Sequence, residues 1–187
     1  MKPRVRISKE DIVKTSIEII RKEGEAALNA RNIGKSLNCS TQPIFFNFAG
    51  MEELKWAVKE QAYRIYLEVL QREAKKGESP EYKAFGLGYI RFAKEEKELF
   101  KFLFMCDRTG EEFISTYDRE KSIEYIVKNN DISREKAELI QLEMWVFVHG
   151  IATILATSYL DLEWGLISKM LTDAYKGIAT RHLEEEK

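Results

Sequence analysis

A chain of 187 residues, with 44% hydrophobic and 33% charged residues, has the size and composition of one or two soluble globular domains. Three prolines and ten glycines leave little room for linkers, and two cysteines exclude a disulfide-stapled scaffold. The net charge of −1 conceals an asymmetry, because residues 1–50 carry a balance of +4 and the remaining residues −5. A basic N-terminal part on an acidic body predicts that one end of the molecule binds a polyanion.

The cysteines and the longest apolar stretch indicate in which cellular compartment the protein is expected. Cys39 and Cys106 are best interpreted as small buried side chains in a reduced cytosol. The longest stretch without Asp, Glu, Lys or Arg covers seventeen residues, 144–160. It is shorter than the roughly 20 apolar residues that a membrane span needs, so it predicts a helix buried on all sides. We therefore expect a cytoplasmic protein that has no membrane partner.

Taken in chain order, the first element is a basic arm, residues 1–7. Ser8 and Asp11 then form a capping box that begins a helix, and Gly24 ends it. In the arm, Arg4 and Arg6 are candidates for phosphate or minor-groove contacts, although a solvated terminus is an equally good interpretation.

The stretch 29–48 predicts two short helices, near 30–37 and 41–47, joined by a tight turn. Asn29 and Ser40 are suitable N-caps, and Pro43 fits the first turn of the second helix. Gly34 is small where the helices cross, and Asn38 tolerates the left-handed conformation of the turn. Counted from Ala30, the small residue, the turn residue and the core Ile44 occupy the fifth, ninth and fifteenth positions. This is the spacing of a DNA-reading helix-turn-helix.

The rest of the chain predicts further helices near 51–76, 80–94, 95–105, 111–128, 133–159 and 163–183, with no strand pattern. The predicted fold class is all-α. It comprises an N-terminal three-helix head with the helix-turn-helix, residues 1–50, and a C-terminal antiparallel helical bundle for ligand binding and dimerisation, residues 51–187.

Residues 7–54 resemble the DNA-binding domain of the TetR family of bacterial transcriptional repressors. The resemblance rests on Gly24, the run 28–33, the run 40–45, the pair 47–48 and Leu54. The chain departs from the family pattern at four positions: Phe45 replaces Tyr, Asn47 replaces His, Asn38 replaces Gly and Met51 replaces Lys.

The resemblance implies a set of DNA contacts. Thr41, Gln42 and Phe45 would face the major groove, with Gln42 bonded to adenine and the Thr41 methyl against thymine. Phosphate contacts would come from Asn29, Arg31, Asn47 and Lys55. The alternative for each side chain is solvated surface.

The C-terminal part is rich in aromatic residues, which predict either ordinary core or the lining of an apolar cavity. The candidates for a ligand site are Phe85, Tyr89, Phe92, Phe104, Trp145 and His149. The segment 145–152 resembles a Trp…His-Gly pattern of ligand-binding domains in some TetR relatives. A hydrogen-bonded core histidine is the alternative for His149.

The last two predicted helices carry small and apolar residues suited to a subunit interface, and the resemblance implies a four-helix dimer interface there. The candidates are Thr153, Ala156, Trp164, Ile167, Met170, Leu171, Ala174 and Ile178. The alternative is an intramolecular face.

The sequence thus predicts a homodimeric regulator, most simply a repressor, that binds a near-palindromic duplex operator and is released by a hydrophobic or amphipathic small molecule. Two alternatives remain: a helical partner-binding protein without DNA binding, and a ligand-independent DNA-binding protein. With two histidines and no glycine-rich phosphate loop, the sequence predicts no catalytic site, no metal and no cofactor.

Overall fold

The computed structural model describes residues 7–107 and 116–184, and every regular element in these ranges is helical. A 3₁₀ turn, Glu25–Ala27, follows the first helix. The helices are α1 (Lys9–Glu23), α2 (Ala30–Ser36), α3 (Gln42–Asn47), α4 (Met51–Ala74), α5 (Glu81–Glu95), α6 (Lys97–Phe104), α7 (Thr116–Asn130), α8 (Arg134–Ala156) and α9 (Trp164–Glu184). The predicted all-α class is confirmed.

The ends of the helices follow local chemistry. The Ser8 hydroxyl accepts from the Asp11 amide, and the Asp11 carboxylate accepts from the Ser8 amide, which completes the predicted capping box of α1. Beyond α4, Gly77 has a φ of +65°, a conformation in which a Cβ would be strained. Ser133 caps α8 through the Lys136 amide. These short-range signals were all present in the sequence.

The chain divides into two compact units at points that differ from the predicted boundary at residue 50. The first unit is Met1–Glu68 with Glu96–Cys106, and the second is Val69–Glu95 with Asp107–Lys187. The division therefore falls inside α4, and α6 belongs with the helix-turn-helix. The reason is that α6 packs on α1.

In the first unit, α1 packs on α2, α3 and α6. Four side chains of α6 are buried, and the Arg21 guanidinium of α1 binds both oxygens of Glu96 at 2.9 and 2.6 Å. The hydrogen bond to Glu96 raises the pKa of Arg21. The core of this unit includes Ile12, Ile20, Ile33, Ile44, Leu54 and Phe100, each at most 1% exposed.

In the second unit, α5 packs on α8 and α9, and α8 also packs on α7 and α9. A buried carboxylate, Glu73, accepts from Arg91 at 2.5 Å and from Lys76 at 2.7 Å. Burial alone would raise the pKa of Glu73, but these two hydrogen bonds outweigh it and hold the pKa below its usual value. The charged group is therefore paired rather than stranded in the core.

The prediction that residues 144–160 form a helix buried on all sides is wrong, and the same holds for the rest of α8. One face packs inside the unit, but Leu139, Leu142, Trp145 and Val146 are 47–57% exposed. By length and composition, α8 would also pass as a membrane-crossing helix, a test that core helices of soluble proteins pass too. It has a packed face and an open apolar face because its apolar residues surround the helix, whereas its neighbours cover only one side.

Candidate nucleic-acid interface

The predicted helix-turn-helix is formed by α2 and α3. Asn29 caps α2 by accepting from the Asn32 amide at 2.9 Å. Gly34 is buried where the chain turns back, and a Cβ at this position would lie 2.9 Å from the carbonyl oxygen of Cys39. Asn38 has a φ of +52°, as the turn requires. These residues therefore fix the crossing of the two helices.

The second helix begins one residue later than predicted. Thr41, not Ser40, is the N-cap of α3, and it makes no side-chain capping bond. Thr41 has helical backbone angles, φ −73° and ψ −13°, whereas a capping residue usually has extended ones, so the start of α3 is not set by a sharp cap. Ile44 is 1% exposed and anchors the helix to the core.

The outer face of α3 is polar at its start and aromatic at its end. Gln42 and Phe46 are four residues apart and lie opposite Ile44, so they share one face of the helix. Gln42 is exposed, and Phe46 is 87% exposed and Phe45 51%. Phe46 was not among the predicted contacts. Its spacing from Gln42 and its position opposite Ile44 are the sequence signals that identify it.

Within the segment that forms this helix pair, every charged side chain is basic. No Asp or Glu occurs between Ala26 and Met51. Arg31 and Lys35 of α2 are exposed, and neither forms an ion pair with any residue in the described ranges. A surface with uncompensated cations beside an exposed helix is suited to a polyanion.

Several predicted phosphate contacts have other partners here. The Asn47 amide donates to the carbonyl oxygens of Pro43 at 2.8 Å and Ile7 at 3.3 Å. The Asn29 side chain serves as the α2 cap and donates to Ala27 at 3.2 Å. Lys55 Nζ lies 3.6 Å from Glu25. Contacts to phosphate from these side chains would have to replace existing bonds, whereas Arg31 needs no such exchange.

Two predicted DNA contacts, Arg4 and Arg6, lie outside the described residues.

The first unit also has an open cleft of about 700 Å³ between α1 and α4. Side chains of both charge signs line it, together with Val13, Ile17 and Trp56. None of the six predicted ligand residues lines this cleft.

Three of the predicted ligand residues come together in the second unit. The Tyr89 hydroxyl and His149 Nδ1 are 2.9 Å apart and hydrogen-bonded, and the Trp145 ring stacks on His149 with centroids 5.0 Å apart and an interplanar angle of 13°. Tyr89 is buried, His149 half-buried and Trp145 47% exposed. Burial lowers the pKa of His149, so the neutral imidazole is favoured.

The other predicted ligand residues are placed differently. Phe92 is completely buried, and Phe85 is half-buried on α5. Phe104 belongs to the first unit, where it contacts Tyr66 and Phe100 with ring centroids 5.2 and 5.4 Å away. A single site lined by all six is therefore not formed within one unit.

The predicted dimer residues also divide into two groups. Ala156, Ile167 and Leu171 are at most 3% exposed within the single chain. These side chains pack within their own subunit and are therefore not available to contact a second copy. Trp164 is half-buried with its ring 3.9 Å from the Arg91 guanidinium carbon. The remaining candidates, Thr153, Met170, Ala174 and Ile178, are partly exposed.

The exposed apolar surface of this unit lies mainly on α8. We call Leu139, Leu142, Trp145 and Val146 the α8 stripe; they occupy one face of the helix. On α9, Leu166 is 48% exposed. Among the residues that the structure describes, no group of His, Cys, Asp and Glu has the arrangement of a metal site.

Comparison with known proteins shows the fold. No family model matches the sequence, and no curated protein matches it. A protein of unknown function from Rhodococcus sp. RHA1 is similar in structure, with a TM-score of 0.71 and 18% identity over 96% of this chain and 98% of the other. A TetR-like transcriptional regulator from Rhodococcus sp. RHA1 has a TM-score of 0.64 and 16% identity, over 98% and 99%.

A third solved structure is the multidrug binding protein EbrR complexed with imidazole. Its TM-score is 0.61 at 14% identity, over 89% of this chain and 93% of that one. The chain thus has the all-α fold of TetR-type proteins along nearly its whole length, as the sequence predicted.

Proposed function

We propose that this protein is a DNA-binding transcriptional regulator and that α2 and α3 contact duplex DNA. The observation that carries the proposal is the exposed face of α3 beside Arg31 and Lys35, two cations that form no ion pair with any described residue, in a segment without any acidic residue. The TetR-type fold supports the same conclusion, because the similar structures include a TetR-like transcriptional regulator.

In the proposed complex, α3 lies in the major groove. The Gln42 amide has the donor and acceptor that an adenine edge requires, and Thr41 and Phe45 present apolar groups to neighbouring bases. Arg31 and Lys35 contact phosphates, which fix the position of the helix without specifying sequence. The location that follows for such a protein is the cytoplasm, where bacterial DNA lies.

We further propose that two copies associate through the α8 stripe, together with the partly exposed Met170, Ala174 and Ile178 of α9. A symmetric dimer presents two copies of α3, and its operator is correspondingly near-palindromic. The stripe supports this proposal because its apolar side chains are exposed although α8 is otherwise a core helix.

The proposed effector is a hydrophobic or amphipathic small molecule that binds near Tyr89, Trp145 and His149 and releases the repressor from DNA. An aromatic pair beside a neutral imidazole supplies both apolar contact and a hydrogen-bonding group. The structure of EbrR with imidazole shows that a protein of this fold binds a small molecule. Release requires unequal affinity of the effector for the two states, typically 1–3 kcal/mol.

A specific observation favours a second candidate, a regulator that needs no effector. Phe92 and Tyr89, two of the predicted ligand residues, are buried core residues of the second unit, at 0% and 8% exposure. A thermal-shift screen with apolar compounds separates the two candidates, because a bound effector raises the melting temperature by mass action.

The proposal is tested by duplex binding across a range of salt concentrations. Because the protein displaces condensed counterions, we expect the logarithm of the binding constant to fall linearly with the logarithm of salt, at about −0.9 per phosphate contact. Arg31→Ala should reduce this slope by about one contact. Lys128→Ala, which removes an exposed cation of α7, is the matched control and should leave the slope unchanged. Absence of duplex binding, or an affinity that salt does not alter, would leave a partner-binding protein as the better interpretation.

A further inference from the structure

Phe46 is the most exposed of the large hydrophobic side chains in the described ranges, at 87%. Its neighbours in sequence explain why it is not buried. Ile44 and Phe48, at 1% and 3% exposure, fill the space between α3 and the rest of the unit. Nothing in the fold of the single chain therefore needs the Phe46 ring, and the ring is free to contact another molecule.

The geometry of α3 places Phe46 beside a base-reading group. Gln42 lies four residues earlier on the same face, about 6 Å along the helix axis. Successive bases along one strand are about 3.4 Å apart. If Gln42 bonds an adenine, Phe46 lies over a position within about two base-pair steps of it.

The chemistry of the ring limits what it can recognise there. A Phe side chain has no hydrogen-bond donor or acceptor. In the major groove, the apolar group on a base edge is the C5 methyl of thymine, whereas the other edges present donors and acceptors that a Phe ring would leave unpaired. From Gln42 to Asn47, α3 carries no charged side chain that would select guanine instead.

The surroundings favour DNA over a protein partner for this ring. An aromatic side chain that binds a protein can be surrounded by charges of both signs, but the segment from Ala26 to Met51 has no acidic residue. Arg31 and Lys35, one turn apart on the adjoining helix and without an ion pair among the described residues, are suited to contact phosphates beside the groove.

We propose that Phe46 is a specificity-determining residue that recognises thymine through its C5 methyl group, within two base pairs of the adenine bound by Gln42. The inference rests on the proposed function and adds the base that α3 selects. Since the contact is with a methyl group, 5-methylcytosine at the same position is also accepted, and unmethylated cytosine is not.

The test is a double-mutant cycle in which the Phe46 side chain and one thymine methyl group are removed singly and together, and duplex affinity is measured. Duplexes that bind the wild-type protein are selected from a randomised library, and each thymine of a selected duplex is then replaced by uracil, which lacks only the methyl. At one position per half-site, we expect uracil to weaken wild-type binding about fourfold, the effect of one buried methyl-sized group. Phe46→Ala should bind the thymine duplex about tenfold or more weakly and should not distinguish thymine from uracil there.

Four controls make the outcome specific. Phe46→Ala removes no charge, so its salt slope should equal that of the wild type. Its melting temperature should also be unchanged, because the ring is exposed in the folded chain. Trp56→Ala removes an exposed aromatic of α4 in the same unit and should retain the full loss with uracil. Thr41→Ser identifies any thymine whose methyl contacts Thr41 instead.

The results separate two kinds of failure. If the wild type selects no duplex, the proposed function fails and this inference with it. Alternatively, duplexes are selected while Phe46→Ala binds them with the wild-type affinity, or while uracil weakens its binding as much as that of the wild type at every thymine. In either case DNA binding stands and the assignment of Phe46 is overturned.

Discussion

Two surfaces of this molecule expose large apolar side chains, and they differ in the charges around them. On α3, Phe45 and Phe46 are exposed in a segment without acids, and the nearby Arg31 and Lys35 are unpaired among the described residues. Near the α8 stripe, two acidic side chains of α8 are paired with cations. Arg134 pairs with Glu138 at 3.2 Å, and Arg181 of α9 pairs with Glu143 at 2.5 Å.

This difference shows why exposure alone does not identify a partner. An apolar group next to uncompensated cations suits a polyanion with an apolar feature, which describes a DNA groove containing thymine. An apolar stripe beside ion-paired side chains suits a second apolar surface, because association then buries hydrophobic area and the paired charges keep their partners.

The surfaces also differ in their support. The six-residue α3 is held by Ile44 and by the turn that precedes it. The α8 helix has 23 residues and packs along its inner face on α5, α7 and α9. A long supported helix can pack against another by ridges and grooves, whereas a short one is suited to entering a groove.

The largest expected effect on the contrast between α3 and the α8 stripe is the loss of the dimer when a charge is placed on the stripe. Val146 is 57% exposed, so Val146→Glu should leave the single chain folded. In a dimer, the unpaired carboxylate would be desolvated at a cost of about 3–5 kcal/mol, which should convert the dimer to monomer in sedimentation experiments. Gln71→Glu, at an exposed position of α4, adds the same charge and should remain dimeric.

A Val146→Glu variant that stays dimeric, or a monomeric wild type, would show that the α8 stripe is not the interface. Ile167→Glu would be an unsuitable test, although Ile167 was a predicted interface residue. It is fully buried in its own chain, and a carboxylate there would unfold the subunit irrespective of any dimer.

Two substitutions in α2 are expected to separate the contribution of this helix pair to folding from its contribution to DNA binding. Gly34→Ala would bring a Cβ to 2.9 Å from the Cys39 carbonyl oxygen, a backbone atom that cannot easily move. We expect a loss of about 1–3 kcal/mol in the free energy of unfolding, together with weaker DNA binding. The neighbouring Lys35→Ala should leave stability unchanged in urea denaturation but reduce the salt slope of duplex binding.

If both variants weaken DNA binding while neither changes stability, the crossing of α2 and α3 is looser than the structure describes. If Lys35→Ala leaves the salt slope intact, the cations of α2 do not face phosphate, and the contrast with the α8 stripe loses its electrostatic basis.

The elements of the helix-turn-helix could be predicted because their determinants are local. The capping box of Ser8 and Asp11, the small Gly34 and the left-handed Asn38 each act within a few residues of chain. The start of α3 was predicted one residue too early, because α3 begins after Thr41 without a side-chain capping bond, and a suitable capping residue at Ser40 therefore does not mark its start.

The second unit could be predicted only in outline. An apolar stripe in a sequence indicates a buried face but not whether the partner is the same chain or another copy, and Ile167 and Leu171, which were predicted at the dimer interface, are buried within their own chain. The Tyr89–His149 hydrogen bond joins residues 60 apart, and no periodicity identifies such a pair. The position of α6 in the first unit depends likewise on a long-range contact, Arg21 with Glu96.

The smallest expected effect is a dependence on pH that belongs to one surface alone. The segment from Gln42 to Asn47 has no group that titrates near neutrality. His149 is half-buried on the face of α8 that carries the stripe, bonded to the Tyr89 hydroxyl, and burial holds its pKa below the usual 6.5. In the unfolded chain the imidazole takes up a proton as the pH falls through 6.5, whereas in the folded chain it resists protonation.

Stability should therefore be fully present above pH 6.5 and decline as the pH falls below it, by at most about 1.4 kcal/mol per pH unit for one proton. His149→Gln keeps a hydrogen-bonding partner for Tyr89 but cannot titrate. Its free energy of unfolding, measured in urea at pH 7.5 and pH 5.5 and at one protein concentration, should change less than that of the wild type. Carboxylates with lowered pKa values, such as Glu73, titrate equally in both proteins and cancel in this comparison. Equal pH dependence in the two proteins would mean that the folded chain accommodates the imidazolium at this position, and the neutral His149 would then be no part of what distinguishes the α8 surface from α3.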